Sequence, residues 1–154
     1  MNDRIAKLLD IEEIRQLRTL YSHCLDSGDI EGLDRVFAQD ATVAVTVGTM
    51  TGLAEIKARL LDAYREFDRD GRHYYPFFHA VTNHRVTLTG PDTAEGRCYL
   101  IDFETASKPD PNPLLLLGLY ADTYCRVDGE WRIAATRLEV VWPAAPMSDT
   151  DDGC

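Results

Sequence analysis

Apolar residues recur at three- and four-residue steps from Asp10 to Leu25: Ile11, Ile14, Leu17, Leu20, Tyr21, Cys24 and Leu25, with Glu12, Glu13, Arg15, Gln16 and Arg18 between them. That spacing predicts an amphipathic helix. Ser27-Gly28 interrupts it, and Asp29 stands at an N-cap position ahead of Ile30, Leu33, Val36 and Phe37, which predict a short second helix. Ala41 to Val47 is β-branched enough for a strand, and Gly48-Thr-Met-Thr-Gly52 breaks it. A third helix follows, with the stripe Leu53, Ile56, Leu60, Ala63, Tyr64 and Phe67 and an outer face of Glu55, Lys57, Arg59, Asp62 and Arg65.

Beyond Pro76 the period shortens to that of strands. Phe78 to Thr89, Ala94 to Glu104, Leu114 to Val127 and Trp131 to Trp142 are four β-rich runs, separated by Gly90-Pro-Asp, the Ser107 to Pro113 loop and Asp128-Gly129. The Asp-Gly pair predicts a hairpin that makes the last two strands antiparallel neighbours. Three helices and then a mostly antiparallel sheet predict an α+β domain, a curved sheet closed by helices around a pocket. Residues 1–143 form that single domain, and 144–154 read as a disordered tail. The run from Leu114 to Leu119 is apolar on both faces, which predicts a sheet whose outer side is covered by a second subunit in a homo-oligomer.

Composition narrows the partners. Twenty-six acidic against 16 basic residues, a formal charge of −10, argue against nucleic acid or an anionic membrane, and favour a small-molecule substrate or another protein. The first ten residues lack a long apolar core, so neither a signal peptide nor a membrane anchor is expected, and the reading is cytoplasmic. Four cysteines, Cys24, Cys98, Cys125 and Cys154, stand far apart with no C-x-x-C pair, and read as reduced thiols without a zinc site or disulfide framework. Phosphate-loop, dinucleotide, zinc-protease and serine-hydrolase motifs are absent.

Candidate chemistry begins where the first helix meets its glycine. Tyr21, His23 and Asp26 are three acid or base groups close together there, and Asp29 already has a capping role. Strand alternation puts His79, Val81 and Asn83 on one face and Ala80, Thr82 and His84 on the other, so one histidine alone is expected to reach the pocket. Arg97, Tyr99, Ile101 and Phe103 share a face, as do Tyr120, Asp122, Tyr124 and Arg126. These tyrosines read either as ligand-orienting groups or as cross-strand polar pairs.

The chain resembles the SnoaL-like branch of the nuclear transport factor 2-like superfamily, from about Ile11 to Trp142. The resemblance rests on Ile14-Arg-Gln-Leu-Arg-Thr-Leu-Tyr21 leading to Leu25-Asp26-Ser-Gly-Asp29, on Phe37-Ala-Gln-Asp40-Ala, on His79-Ala-Val-Thr-Asn83, and on Gly118 to Ile133 with its Asp-Gly hairpin. It implies a cystatin-like cone with a deep pocket. Within the superfamily it is most similar to scytalone dehydratase, bile-acid 7α-dehydratase and hexachlorocyclohexane dehydrochlorinase. Those enzymes set an aspartate after the first helix against a histidine on the first long strand, which corresponds to Asp26 and His79, with Tyr21 at the spacing of a further catalytic tyrosine.

The resemblance then implies a lyase of the dehydratase type that needs no metal, nucleotide or flavin. Asp26 would orient, His79 abstract a proton, and Tyr21 polarise a carbonyl or protonate a leaving hydroxyl. Asn83, Phe37, Tyr64, Tyr99 and Tyr120 are the candidate substrate-binding residues for a small, mostly apolar ring or polyketide-like molecule. Two alternatives stand beside it: a polyketide cyclase or isomerase, and a non-catalytic ligand-binding or assembly module. The dehydrochlorinase-like arginine of the last strand has no match in register, since Thr136 holds its place and Arg137 lies one residue on.

Overall fold

The computed structural model describes residues 2–105 and 111–144. Helix α1 spans Asp3–Ser27, a full two turns longer at its start than the apolar pattern predicts, because Asn2 caps it by accepting from the Arg4 N–H. Its end is set by Gly28 at φ 78°, whose N–H donates to the Leu25 carbonyl. A Cβ there would also press on the Tyr64 ring at 3.0 Å, so the position demands glycine twice over.

The expected second helix is a single 3₁₀ turn, Glu31–Arg35. Asp29 does accept from the Gly32 N–H, but Val36 and Phe37 are claimed by the sheet: the Val36 carbonyl accepts from Ile133, and Phe37 opens strand β1, Phe37–Val45. Two α-helices are therefore described in place of three. The expected break at Gly48 is a second correction, because Gly48–Thr51 forms the edge strand β2, paired antiparallel with β1. Helix α2, Leu53–Phe67, is as the apolar stripe predicts.

Strands β3 (Phe77–Leu88), β4 (Thr93–Glu104), β5 (Leu114–Val127) and β6 (Glu130–Trp142) complete one six-stranded sheet of order β2-β1-β6-β5-β4-β3. All neighbours are antiparallel except β1 and β6, which run parallel. The core lies between this sheet and the two helices, with Ile14, Leu33, Val43, Ile56 and Ile133 fully enclosed. No helix of the described residues is long and apolar enough to cross a membrane. The proposed tail beyond Ala144, with Cys154, and residues 106–110 of the proline-rich loop lie outside the described residues. Cys24, Cys98 and Cys125 are free thiols.

One irregularity changes which side chains face inward. In β3 the pairing with β4 runs from Thr82 opposite Tyr99 to Arg85 opposite Arg97, so Asn83 and His84 together face Cys98, and Asn83 sits at φ 53°. This bulge reverses the alternation. His84, Val86 and Leu88 now share the inner face with His79 and Val81, while Asn83 is turned out into solvent. Strict alternation had separated the two histidines; the extra residue brings both inside. Asn83→Val puts a β-branched residue into left-handed backbone and is expected to lower stability by roughly 1–2 kcal/mol, whereas Asn83→Gly leaves it near the wild-type value. The midpoint of urea denaturation checks both.

Candidate active site

Helix α1 carries a polar line down its buried side. Arg18, Ser22 and Asp26 stand at four-residue steps beside Ile14, Tyr21 and Leu25, and all six are buried. Asp26 is in the last turn, where the helix delivers it to the start of β3. There one carboxylate oxygen accepts the His79 backbone N–H at 2.9 Å and the other meets His79 Nδ1 at 2.5 Å. Nδ1 is thereby committed to Asp26, and Nε2 is left for a second partner.

That partner comes from the sheet itself. His79 and Asp102 are directly opposite in the β3–β4 register, and Asp102 Oδ2 lies 3.9 Å from Nε2. Asp102 Oδ1 is buried with no hydrogen-bond partner among the described residues. The imidazole thus stands between two carboxylates, both nearly closed off from solvent. Burial pushes the His79 ring towards its neutral form, but the Asp26 hydrogen bond and then the charges of Asp102 and Asp26 lift its pKa above the ordinary value. Burial also lifts the Asp102 carboxyl above its ordinary value, with the Asp26 charge acting the same way and His79 against it.

These groups form the polar end of an internal cavity in which about 60 Å³ is open to the centres of water-sized molecules. Tyr21 and Tyr120 line it beside His79 and Asp102. Apart from Thr46, the remaining wall is apolar, from Val45 and Val47 of the β1–β2 hairpin, Leu60 and Phe67 of α2, and Leu115 and Leu138 of the sheet. The two tyrosine rings meet edge to face at 6.2 Å, and Tyr21 reaches the His79 ring in the same manner at 6.4 Å. The arrangement can take a proton from carbon at Nε2, donate one from Asp102, and hold an oxygen with phenol hydroxyls.

Four of the predicted residues, Asp26, His79, Tyr21 and Tyr120, come together here. The others do not. Phe37 and Tyr64 stand behind the cavity wall, packed edge to face on Tyr21 at 5.7 Å and on Phe77 at 5.9 Å. Tyr99 is 51% exposed on the outer face of the sheet, because the inner positions of β4 are Cys98, Leu100, Asp102 and Glu104. Asn83 points outward through the bulge, and His23 is exposed on α1. Thr136 faces inward and Arg137 outward, where it pairs with Glu139.

Two residues escaped the sequence reading. Asp102 is the acid in the inward set of β4, the complement of the face that carries Arg97, Tyr99 and Ile101. Arg18, counted among the polar positions, is fully buried. Its place four residues after Ile14 and three before Tyr21 marks it as an inner position. It lies behind the two tyrosines, with one terminal nitrogen 3.1 Å from Thr136 Oγ1 and 3.4 Å from Asp122 Oδ1.

A family model described as a SnoaL-like domain matches residues 6–137. Among solved structures, a nuclear transport factor 2-like protein with a cystatin-like fold from Novosphingobium aromaticivorans is 28% identical, with a TM-score of 0.77 and coverage of 94% of each chain. A candidate scytalone dehydratase from the same organism is 25% identical with a TM-score of 0.75, covering 91% of this chain and 88% of its own. Hexachlorocyclohexane dehydrochlorinase LinA-type3 from Novosphingobium barchaimii is 18% identical with a TM-score of 0.74, over 91% and 92% of the two chains, a likeness of fold. No curated protein matches the chain.

Titration of the His79 ring by NMR is expected to give a midpoint above 6.5, and Asp26→Asn is expected to bring it down, since burial then outweighs what remains. The sign carries to stability. A ring that protonates more readily folded than unfolded stabilises fully below pH about 6.5, and that contribution is lost as pH rises through the folded-state value.

Proposed function

Since the chain belongs to the SnoaL-like family, we propose that it is a cofactor-independent lyase of the dehydratase type, acting on a small, mostly apolar ring compound that carries a carbonyl with a hydroxyl on the β-carbon. The observation that carries this reading is the His79 ring held between Asp26 and Asp102 at the polar end of an otherwise apolar cavity. The dehydratase and dehydrochlorinase named among the similar structures support it.

In this reading Nε2 of His79 takes the proton from the carbon next to the carbonyl, while Asp26 holds Nδ1 and favours the imidazolium that results. The C–H electron pair moves toward the carbonyl, whose oxygen gains negative charge and is held by the Tyr21 and Tyr120 hydroxyls. The pair returns to form the C=C bond as the C–O bond to the β-hydroxyl breaks, and protonated Asp102 gives its proton to that oxygen, releasing water. His79 then holds the extra proton and Asp102 lacks one. Their 3.9 Å separation lets a small side-chain movement return it and reset the site.

The outer face of the sheet supports a second proposal, that the working form is a homo-oligomer. Tyr99, Leu117 and Val141 are exposed there beside Ile101 and Leu119, an apolar strip that a second copy would cover. Light scattering is expected to give two or three times the chain mass, and Leu117→Glu to reduce it to one.

Against a panel of cyclic β-hydroxy ketones, dehydration read by the ultraviolet band of the conjugated product is expected to fall by about 10² or more in His79→Ala and in Asp102→Asn. The wild-type kcat/KM is expected to be bell-shaped in pH, rising as His79 loses its proton and falling as Asp102 loses its own. Turnover that survives His79→Ala largely intact would exchange this reading for a cyclase or isomerase in which a carboxyl acts alone. No turnover with a ligand held in the cavity would favour a binding module, and neither turnover nor ligand an assembly module.

A further inference from the structure

The cavity and the dyad leave one buried group unused. Arg18 is the sole fully buried cation among the described residues, and the wall of the cavity does not include it. Its guanidinium carbon lies 3.5 Å from the centre of the Tyr120 ring and 4.7 Å from that of Tyr21. One terminal nitrogen serves Thr136 and Asp122, while Nε and the other terminal nitrogen have no hydrogen-bond partner among the described residues. The buried Asp122 carboxylate is the main influence favouring the charge, and the aromatic faces are the guanidinium's other close surroundings.

We propose that Arg18 is a positioning residue whose charge acts through the rings of Tyr21 and Tyr120, making their hydroxyls stronger donors to a substrate oxygen that becomes negative in the cavity. The inference rests on the oxyanion-binding part of the proposed function and adds to it the source of the electrostatic bias.

Three considerations lead there. First, packing gives no reason for a charge: a buried ion pair seldom stabilises a fold beyond what apolar side chains of the same volume supply. Second, the contact is through the ring face. A phenol that loses or shares its proton spreads negative charge into its ring, and a desolvated cation over that ring stabilises the charged form more than the neutral one. Third, the counter-ion is shared between Arg18, at 3.4 Å, and two other donors. Asp122 accepts from Thr136 Oγ1 at 2.5 Å and from the Tyr124 hydroxyl at 2.7 Å, so its charge is shared with donors away from the tyrosine pair. Burial pushes both phenols above their usual values, and for Tyr21 the Arg18 charge is the strongest influence in the opposite direction.

The same neighbourhood offers His84, Cys98 and Asp122 as donor atoms within 4.8 Å of one another. A metal ion there would sit against the guanidinium, since Asp122 already faces Arg18. Arg18 fills the cation's place.

The test needs a readout other than turnover. 4-Nitrophenol is a ring-sized probe whose neutral and ionised forms absorb at different wavelengths, so the form bound in the cavity is read directly. It is titrated into wild-type protein, into Arg18→Lys, and into Arg18→Met combined with Asp122→Asn, which removes both charges and keeps a partner for Tyr124 and Thr136. Each is repeated with His79→Ala, so that the imidazolium does not supply the charge. The wild type is expected to favour the phenolate. The double variant is expected to lose that preference by roughly tenfold or more while binding the neutral ring equally well, and Arg18→Lys to retain part of it.

A folded double variant that keeps the wild-type preference overturns the inference and leaves the oxyanion role of the tyrosines standing. Wild-type protein that takes the phenol only in neutral form removes that role and this inference together, while the elimination tested by His79→Ala stands apart. If the double variant does not fold, Arg18→Gln in the same background decides: a folded protein that keeps the wild-type preference overturns the proposal, and a loss of roughly tenfold supports it.

Discussion

The contact between Asp26 and His79 holds two things at once. One carboxylate oxygen takes the backbone N–H at the start of β3, and the other takes the ring of the same residue. The first bond ties the end of α1 to the sheet; the second fixes which imidazole nitrogen faces the cavity. An acid one residue earlier or later on α1 would point about 100° away and lose both, and the helix must stop just beyond it for the chain to turn. Gly28, forced into left-handed backbone against the Tyr64 ring, sets that stopping point. Chemistry at the dyad and closure of the helix over the sheet are therefore one constraint.

The buried side of α1 shows how a largely apolar interior accommodates charge. Arg18, Ser22 and Asp26 do not interrupt the apolar stripe; they run alongside it, and each charged member meets an opposite or aromatic partner from the sheet. Asp122, Thr136 and Tyr124 gather around the arginine end, while His79 and Asp102 gather around the aspartate end. Tyr21 and Tyr120 stand between the two groups, in contact with the cation behind them and the cavity in front. Separation of the charges into two clusters keeps the acid and base pair from being neutralised by the guanidinium.

Much of this was legible in the chain. Helix spacing placed Tyr21 and Asp26 near the end of α1 and the Asp-Gly pair fixed the final hairpin, because each depends on local geometry alone, whereas the pairing of Asp26 with His79 came from the family resemblance. Arg18 and Asp102 were not found, since both are charges at inner positions and residue type outweighed position in the reading. Asn83 and His84 were assigned to the wrong faces because a bulge is an agreement between two strands and leaves no trace in alternation. Phe37 was drawn into a helix by its spacing from Leu33, whereas the parallel partner β6, nearly a hundred residues away, decides its conformation. Tyr64 and Tyr99 are aromatic like their neighbours, and nothing local says which side of a wall an aromatic ring occupies.

The register of β3 on β4 has a mechanical consequence. His79 and Asp102 are opposed across one ladder, so the separation of their backbones is set by the spacing of hydrogen-bonded strands. Val45, Val47, Leu60 and Phe67, which also line the cavity, come from the β1–β2 hairpin and α2 and lie outside that ladder. The two carboxylates and the imidazole are thus held by one helix end and one ladder, while much of the apolar wall comes from other elements.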